Sequence, residues 1–228
     1  MIILTGVLLI ALPVAFNLVF GALAVQFQYP RILRAPTADV LRAFRAGGNR
    51  LVMTWWSFAM ITALFIPVVL VISRWLAAAG PTVLDAATTL GILASVVMTF
   101  GLIRWPFMIP HLAREAEDAS PAKAEAIDVV FQSLNRYLGV AIGEHLGAIL
   151  TGGWTVVVSI AALQTGLLPM WMVVAGFVIG AALVACSLEF VGPFEREGWA
   201  FAGVVGPLAY IAWSLWLAAM GVFVLVAG

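Results

Sequence analysis

Charged residues and cysteine are both scarce in this sequence. Asp, Glu, Lys and Arg make up only 10% of the chain, whereas a soluble domain carries about 25%. The single cysteine, Cys186, excludes an intrachain disulfide and any metal site built from cysteines. Eleven basic and eleven acidic residues cancel, so no excess of positive charge indicates a nucleic-acid partner, and we expect none.

Apolar residues take the place of the missing charges. Hydrophobic residues make up 64% of the 228 positions, and the mean hydropathy is +1.13. A soluble domain is only about 45–50% apolar, because it must leave a large polar surface in water. The composition therefore predicts an integral membrane protein and, at this length, a single membrane domain over residues 1–228.

Six apolar runs are long enough to cross a bilayer, which takes about 20 residues of helix. Each run predicts a helix, because backbone amides find no water in lipid, and the runs do not alternate in polarity as membrane β-strands do. No basic segment precedes the first run, so we interpret it as a retained span rather than a signal peptide. The predicted fold is all-α, a polytopic bundle of six transmembrane helices over residues 2–25, 51–73, 85–105, 138–163, 170–190 and 201–226.

Arginine and lysine lie almost entirely on one side of this arrangement. Nine of the eleven basic residues fall in the connections after the first, third and fifth spans. Arg74 lies in an opposite connection, and Arg104 lies inside the third span. Because basic connections stay in the cytoplasm, the sequence predicts a multi-pass protein of the inner (cytoplasmic) membrane with both termini outside.

The first cytoplasmic connection contains a short amphipathic segment. Thr37 is a suitable N-cap for a helix over residues 38–46, with Val40, Leu41 and Phe44 on its apolar side. Such a helix lies among the lipid headgroups. It either docks a partner or an anionic lipid, or only anchors the chain.

The third connection predicts a helix that extends the fourth span into the cytoplasm. Ser120 followed by Pro121 is a helix start signal. Apolar residues then recur at intervals of three and four, which predicts an unbroken amphipathic helix leading into span four. These residues are Ile127, Val130, Phe131, Leu134 and Leu138.

Few ionisable side chains interrupt the spans, and three of them fall at a similar depth. Arg104 lies near the end of span three, and Glu144 and His145 lie about two turns into span four. Charged groups in a membrane usually face the protein interior, and antiparallel neighbours would bring Arg104 and Glu144 to one level. We therefore predict a polar cluster in the inner leaflet with an Arg104–Glu144 ion pair.

Small residues in spans four and five predict close helix packing around this cluster. Gly139, Gly143 and Gly147 recur every four residues in span four. Gly176 and Gly180 repeat the spacing in span five. Glycines at this spacing let helix backbones approach each other closely, so span four is expected at the centre of the bundle.

Three further polar residues are candidates for the same interior. Tyr137, Glu144 and Thr151 are seven positions apart, so they would share one face of a regular helix. Asn17 follows Pro13 in span one. We assign Tyr137, Thr151 and Asn17 to the predicted cluster.

The predicted cluster allows more than one role. Glu144 and His145 point about 100° apart on an α-helix, and the only other histidine is His111, so we predict no metal site and no cofactor. Both side chains can titrate, which allows a proton relay. Alternatively, Arg104, Glu144 and His145 only lock spans three and four together.

Three stretches carry a resemblance to a known family: GLIRWPF around Arg104, GEHLGAILTGGW in span four and GPLAYIAWSLWLAAMGVF in span six. From span two onward the sequence resembles a family of small bacterial six-helix membrane proteins that is defined only as a domain of unknown function. The resemblance implies a bacterial cytoplasmic-membrane protein of about this length, and it supplies no activity. It also implies a shared site of Arg104, Trp105, Pro106, Gly143, Glu144, His145 and Gly147.

The sequence leaves three classes of function open. The first is an accessory subunit, a regulator or a small-ligand or lipid-binding protein, which the short outer loops and the missing catalytic motif favour. The second is a small proton-coupled transporter that uses Glu144 and Arg104 as a gated pair. The third is an intramembrane enzyme acting on a lipid-like substrate, which needs a nucleophile or metal beside Glu144 or His145. The expected surroundings are the lipid bilayer, with a membrane-protein partner or a second copy of the chain.

Overall fold

The structure, a computed structural model, describes residues 2–194 and 198–227 and is built from long α-helices. Six helical segments are long and apolar enough to cross a membrane, so the predicted all-α membrane fold is confirmed. The described α-helices are α1 Ile2–Phe27, α2 Thr37–Ala63, α3 Phe65–Trp75, α4 Pro81–Glu115, α5 Pro121–Leu134, α6 Gly147–Thr165, α7 Met170–Cys186 and α8 Ala200–Ala227. A π-helix covers Asn135–Leu146, and short 3₁₀ helices cover Arg31–Arg34, Ala77–Ala79 and Ser187–Phe190.

Two of the six segments combine more than one α-helix. The second segment, Thr37–Trp75, contains α2 and α3, which meet at Leu64. Pro67 lies just after this break and has no N–H for the preceding turn. The fourth segment, Pro121–Thr165, contains α5, the π-helix and α6.

The short helix predicted over residues 38–46 is the first part of α2. Non-helical backbone at Gly48 (φ 55°, ψ −156°) separates it from the apolar part of the helix, and only glycine adopts this conformation without strain. The predicted N-cap is wrong. Pro36 is the capping residue, and the Thr37 hydroxyl instead donates a hydrogen bond to the Asp128 carboxylate of α5.

The helical extension of span four begins where the sequence predicts it. The Ser120 hydroxyl accepts a hydrogen bond from the Lys123 N–H at 3.4 Å, and Pro121 is the first helical residue. The expectation of a regular α-helix is wrong over Asn135–Leu146, where the backbone is π-helical. Gly139 lies in this stretch, and the weak helical preference of glycine lowers the cost of leaving α-geometry. Hydrogen bonds from residue i to residue i+5 widen each turn there, a geometry often found at functional sites.

The bundle has two ends that differ in charge. The connections α1–α2, α4–α5 and α7–α8 lie at one end, which we call the basic end because it carries most of the arginines. A cluster of buried aromatic side chains packs there, including Phe27, Phe44, Trp55 and Trp105. The Trp55 and Trp105 rings stack with centroids 4.5 Å apart and planes inclined by 10°. A second apolar cluster, centred on Trp154, fills the rest of the bundle.

Large apolar side chains also cover the outside of the bundle. Leu18 and Phe107 are 69% and 67% exposed, and residues on all the long helices share this property. A soluble protein rarely exposes continuous apolar surface of this extent. The exposed side chains therefore form the surface that faces lipid.

Candidate functional site

Arg104 is buried in α4 at the basic end, with only 7% of the residue exposed. Its guanidinium donates hydrogen bonds to the Gly101 carbonyl and, at 2.8 Å, to the side-chain oxygen of Asn135. The guanidinium carbon lies 5.2 Å from the centre of the Trp105 ring, within cation–π range. Arg104 therefore ties α4 to the first turn of the π-helix.

The predicted direct ion pair between Arg104 and Glu144 is not formed. The two charges interact at longer range, because the guanidinium lies against Gly139 and points toward Asn135 rather than toward Glu144. The hydrogen bonds of the Arg104 guanidinium therefore fix its position without a contribution from the Glu144 carboxylate. Ion pairs at exposed positions lie elsewhere, between Arg42 and Asp39, Arg45 and Glu117, and Lys123 and Glu115.

Glu144 lies among polar groups from four other parts of the chain. Tyr29 follows α1, Arg104 belongs to α4, Glu189 lies in the 3₁₀ helix after α7, and Tyr210 belongs to α8. Electrostatic interactions connect these groups with Glu144. We call the five residues the Glu144 cluster. All of them except Arg104 stay partly exposed, so the cluster reaches the surface of the bundle.

Tyr29 is the member of the cluster that lies outside the spans, in the connection between α1 and α2. Burial of the phenol and then the negative charge of Glu144 raise the pKa of Tyr29 above its ordinary range. Its ring also packs edge-to-face on Trp55, with centroids 5.0 Å apart. The Tyr29 hydroxyl is therefore protonated at neutral pH and can donate a hydrogen bond.

His145 connects the π-helix to the turn that carries Glu189. The His145 Nδ1 lies 2.9 Å from the carbonyl oxygen of Ser187. A carbonyl only accepts hydrogen bonds, so Nδ1 carries the proton in this arrangement. The bond fixes the ring and leaves Nε2 of a neutral imidazole as an acceptor.

Three residues that the sequence assigns to the cluster have other contacts. Tyr137 is 63% exposed, because the wider turns of the π-helix place residues seven apart on different faces. Thr151 is fully buried in α6, with its hydroxyl 3.8 Å from the Met98 sulfur. Asn17 donates a hydrogen bond to the Ser214 hydroxyl at 3.0 Å, so it ties α1 to α8.

The glycines of span four lie against α4. A Cβ added to Gly101 would lie 2.6 Å from the Cα atom of Gly143, so the two backbones are in direct contact. Gly139 leaves the space that the Arg104 guanidinium occupies. Gly147 continues the row, because a Cβ added there would lie 3.1 Å from the Cγ atom of Met98 in α4.

The other two predicted glycines bring α7 against the opposite side of α6. A Cβ on Gly180 would lie 2.6 Å from the Gly152 carbonyl oxygen, and Gly176 lies against the Ser159 hydroxyl. Span four is therefore packed closely between α4 and α7. Glu144 belongs to the π-helical part of this span.

Four residues of the site carry little signal in the sequence. Tyr29 and Glu189 lie at the ends of spans, where polar residues are expected in any membrane protein. Asn135 precedes span four and has no charge, and Tyr210 could be assigned to the site only from the family-like stretch in span six. Their grouping depends on the tertiary packing of α1, α7 and α8 around the π-helix.

Comparison with known families gives one match. Residues 4–228 match the model of DUF4386, described as a domain of unknown function. The chain belongs to this family. No curated protein and no solved structure matches the chain. The resemblance to a family of unknown function is therefore confirmed.

The cluster is suited to hydrogen bonding and proton binding rather than to metal binding. Over residues 2–194 and 198–227, no three His, Cys, Asp or Glu side chains form a group that could hold a metal ion. Glu144 and Glu189 supply acceptor oxygens, and the Tyr29 and Tyr210 hydroxyls both donate and accept. The hydrogen bonds of Arg104 are directed to Gly101 and Asn135.

Proposed function

We propose that this multi-pass membrane protein is an accessory or regulatory binding protein that holds a small ligand or a lipid headgroup at the Glu144 cluster. The observation that carries the proposal is the convergence on Glu144 of groups from α4, α8 and the ends of α1 and α7. A lock between spans three and four would need only side chains of those two spans. The wider convergence favours a site that surrounds a ligand.

The chemistry of the cluster favours a ligand that donates hydrogen bonds. Glu144 and Glu189 are two carboxyl groups that interact electrostatically, while both terminal nitrogens of the Arg104 guanidinium already have acceptors in the protein and only its buried Nε has none. An amine or polyol headgroup would give its N–H or O–H groups to these oxygens. A phosphate would instead meet two like charges, which is unfavourable at close range.

The distribution of basic residues supports a location for the site. Nine of the eleven basic residues follow the first, third and fifth spans, and basic connections remain in the cytoplasm. Under this orientation the cluster opens in the inner leaflet of the cytoplasmic membrane and both termini are outside. A ligand would then reach it from the cytoplasm or from the inner leaflet.

Mass spectrometry of the purified protein tests the proposal. The wild type, Glu144→Gln and Glu125→Gln are purified in a mild detergent, and co-purifying small molecules and lipids are identified and quantified. Glu125 is an exposed residue of α5, so its variant controls for the loss of one carboxylate. We expect a near-stoichiometric amine or polyol species with the wild type and Glu125→Gln, and its loss from Glu144→Gln.

Three results would count against this function. Equal occupancy in all three proteins would show that Glu144 does not contribute to binding. A lower thermal stability of Glu144→Gln than of the wild type, with both proteins stripped of ligand, would favour a structural lock. A stoichiometric protein partner retained by all three proteins would support an accessory subunit without a ligand at the cluster.

A second candidate function is proton-coupled transport, which the separation of Arg104 and Glu144 favours. A carboxylate that is not fixed in a direct ion pair can change its protonation during a transport cycle. In proteoliposomes with an internal pH-sensitive dye, a carrier would show proton flux that Glu144→Gln abolishes while the protein stays folded. No flux above that of empty liposomes would leave the binding function as the better account.

A further inference from the structure

A second polar site lies on the surface at the basic end and shares no residue with the Glu144 cluster. A cleft of about 190 Å³ opens between the first part of α2 and the end of α4. Two arginines line it together with small apolar residues and one carboxylate. We call it the arginine cleft, formed by Ala38, Leu41, Arg42, Arg45, Ala113, Ala116 and Glu117.

The two arginines of the cleft have only weak partners within the protein. Arg42 lies 3.1 Å from Asp39 on the same helix, with 70% of its side chain exposed. Arg45 lies 3.7 Å from Glu117 and donates to the Ala113 carbonyl at 3.3 Å, with 39% of its side chain exposed. Exposed pairs of this kind contribute little to stability, so both guanidinium groups can bind a stronger anion.

The segment around the cleft has an excess of positive charge. Residues 28–50 contain five arginines and a single acidic residue, Asp39. Arginine is well suited to phosphate, because its planar group of donors can form two parallel hydrogen bonds with phosphate oxygens. The charge complementarity therefore favours a phosphate-bearing anion.

The packing of the apolar side of the same helix indicates how deep the cleft lies in the membrane. Val40, Leu41 and Phe44 are at most 2% exposed, and the Phe44 ring packs against Phe27 and Trp105 with centroids 5.8 and 6.0 Å apart. Phe27 is the last residue of α1. The helix therefore lies where a membrane-spanning helix ends, which is the level of the lipid headgroups.

We propose that the arginine cleft binds the headgroup phosphate of an anionic phospholipid in the leaflet at the basic end. The phosphate lies between the Arg42 and Arg45 guanidinium groups, and the accessible alanines of the cleft, Ala38 and Ala116, contact the glycerol. The nearby arginines at positions 31, 34 and 50 add long-range attraction to the anionic surface. The site is independent of the Glu144 cluster, whose carboxyl groups favour a different headgroup.

Titration of lipid into the delipidated protein tests the proposal. Phosphatidylglycerol and phosphatidylcholine are each added to the full chain in detergent, and bound lipid is counted by native mass spectrometry alongside the thermal midpoint. We expect saturable binding of phosphatidylglycerol and a rise of the midpoint, with neither effect from phosphatidylcholine. In Arg42→Gln/Arg45→Gln we expect about 30-fold weaker binding, since each basic residue near an anionic surface contributes about a factor of five.

Three further variants separate binding from folding. Arg74→Gln removes an exposed arginine at the other end of the bundle and should bind like the wild type. Arg42→Gln alone removes a largely exposed side chain and should bind about fivefold more weakly. Glu117→Gln removes the competing carboxylate and should bind more tightly, a gain that misfolding would not produce.

Three outcomes would overturn the proposal. Equal binding of the two lipids would show that the headgroup charge is not recognised. Equal loss of phosphatidylglycerol binding in Arg74→Gln would show a general effect of protein charge. Inorganic phosphate that displaces the lipid at equal concentration would assign the cleft to a free anion instead of a membrane lipid.

Discussion

Gly101 of α4 and Gly143 of the π-helix bring two backbones into contact, because a Cβ on Gly143 would lie 2.9 Å from the Gly101 Cα atom. The contact places the π-helix close enough for Arg104 to reach Asn135. It also fixes the position of the next residue, Glu144, relative to α4. Two glycines, which have no side chains, therefore set the geometry of the polar site.

Because the two backbones are in contact at Gly143, even the smallest side chain at this position should lower the stability of the protein. Gly143→Ala should lower the free energy of unfolding by about 1–3 kcal/mol, because the backbones must separate to admit the methyl group. Gly153→Ala is the matched control, since its methyl group would meet only the Leu90 side chain at 3.6 Å. Denaturant unfolding in detergent micelles measures both, and equal values for the two variants would contradict the contact.

The hydrogen bond from Arg104 to Asn135 predicts a measurable cost when its acceptor is removed. Asn135→Ala should destabilise the protein by about 1.5–3 kcal/mol, because a charged N–H donor loses its partner in a buried position. Asn49→Ala, at an exposed position of α2, should have little effect on the same unfolding measurement. If the stability of Asn135→Ala were the same as that of Asn49→Ala, the Arg104 guanidinium would have found another hydrogen-bond acceptor.

The backbone conformation of Gly48 predicts strain in any residue with a side chain. Gly48→Ala should cost about 1–3 kcal/mol, because φ 55° with ψ −156° is accessible only to glycine. Gly21→Ala is the control, because a methyl group there would meet no atom within 4 Å. Thermal midpoints of the two variants provide the comparison, and a neutral Gly48→Ala would mean that α2 can straighten without penalty.

The interaction of Tyr29 with Glu144 predicts a shift in the titration of the phenol. A nearby negative charge disfavours the phenolate, so Glu144→Gln should lower the pKa of Tyr29 toward its ordinary value. The stability that the raised pKa contributes is fully present below the unfolded value of about 10 and is lost as the pH rises toward the folded value. Phenolate absorbance at high pH, in a Tyr137→Phe/Tyr210→Phe background, reports Tyr29 alone. Glu125→Gln should leave the titration unchanged, and an equal shift in that control would rule out a local effect of Glu144.

The Thr37 hydroxyl predicts a coupling between α2 and α5. It donates to Asp128 and accepts from the Gln132 amide at 3.0 Å, so Thr37→Val removes two hydrogen bonds, one of them to a charged group, and should cost about 1–3 kcal/mol. Hydrogen exchange of the α5 amides should accelerate in this variant. Thr89→Val, at an exposed position of α4, should not change the exchange, and α5 exchange that stays slow in Thr37→Val would contradict the coupling.

The number of spans and the course of α5 could be predicted because they depend on local properties. Apolar length predicts the spans, and Ser120 with Pro121 marks the start of the extension. The π-helix could not be predicted, because the same order of apolar and polar residues is compatible with an α-helix and with a π-helix. The π-helix packs on α4 through the contact between Gly101 and Gly143, residues 42 positions apart in the sequence.

Of the site, only the ionisable residues within the spans could be predicted from the sequence. Arg104, Glu144 and His145 are conspicuous because ionisable groups are rare within spans. Their partners were not predictable, since Asn135 replaces Glu144 as the acceptor for Arg104 and Ser187 supplies only its backbone carbonyl to His145. The error at Tyr137 has the same origin, because a seven-residue spacing defines one face only in an α-helix.

The hydrogen bonds between Thr37 and α5 also impose an order on biogenesis. Thr37 and Asp128 are 91 positions apart, so three spans must leave the ribosome and enter the bilayer before the amphipathic segment after α1 finds its final contacts. Until then, that segment lacks the hydrogen bonds to Asp128 and Gln132 that fix it on α5. A nascent chain truncated before residue 121 should therefore leave this segment open to protease, and lengthening the chain through Leu134 should protect it.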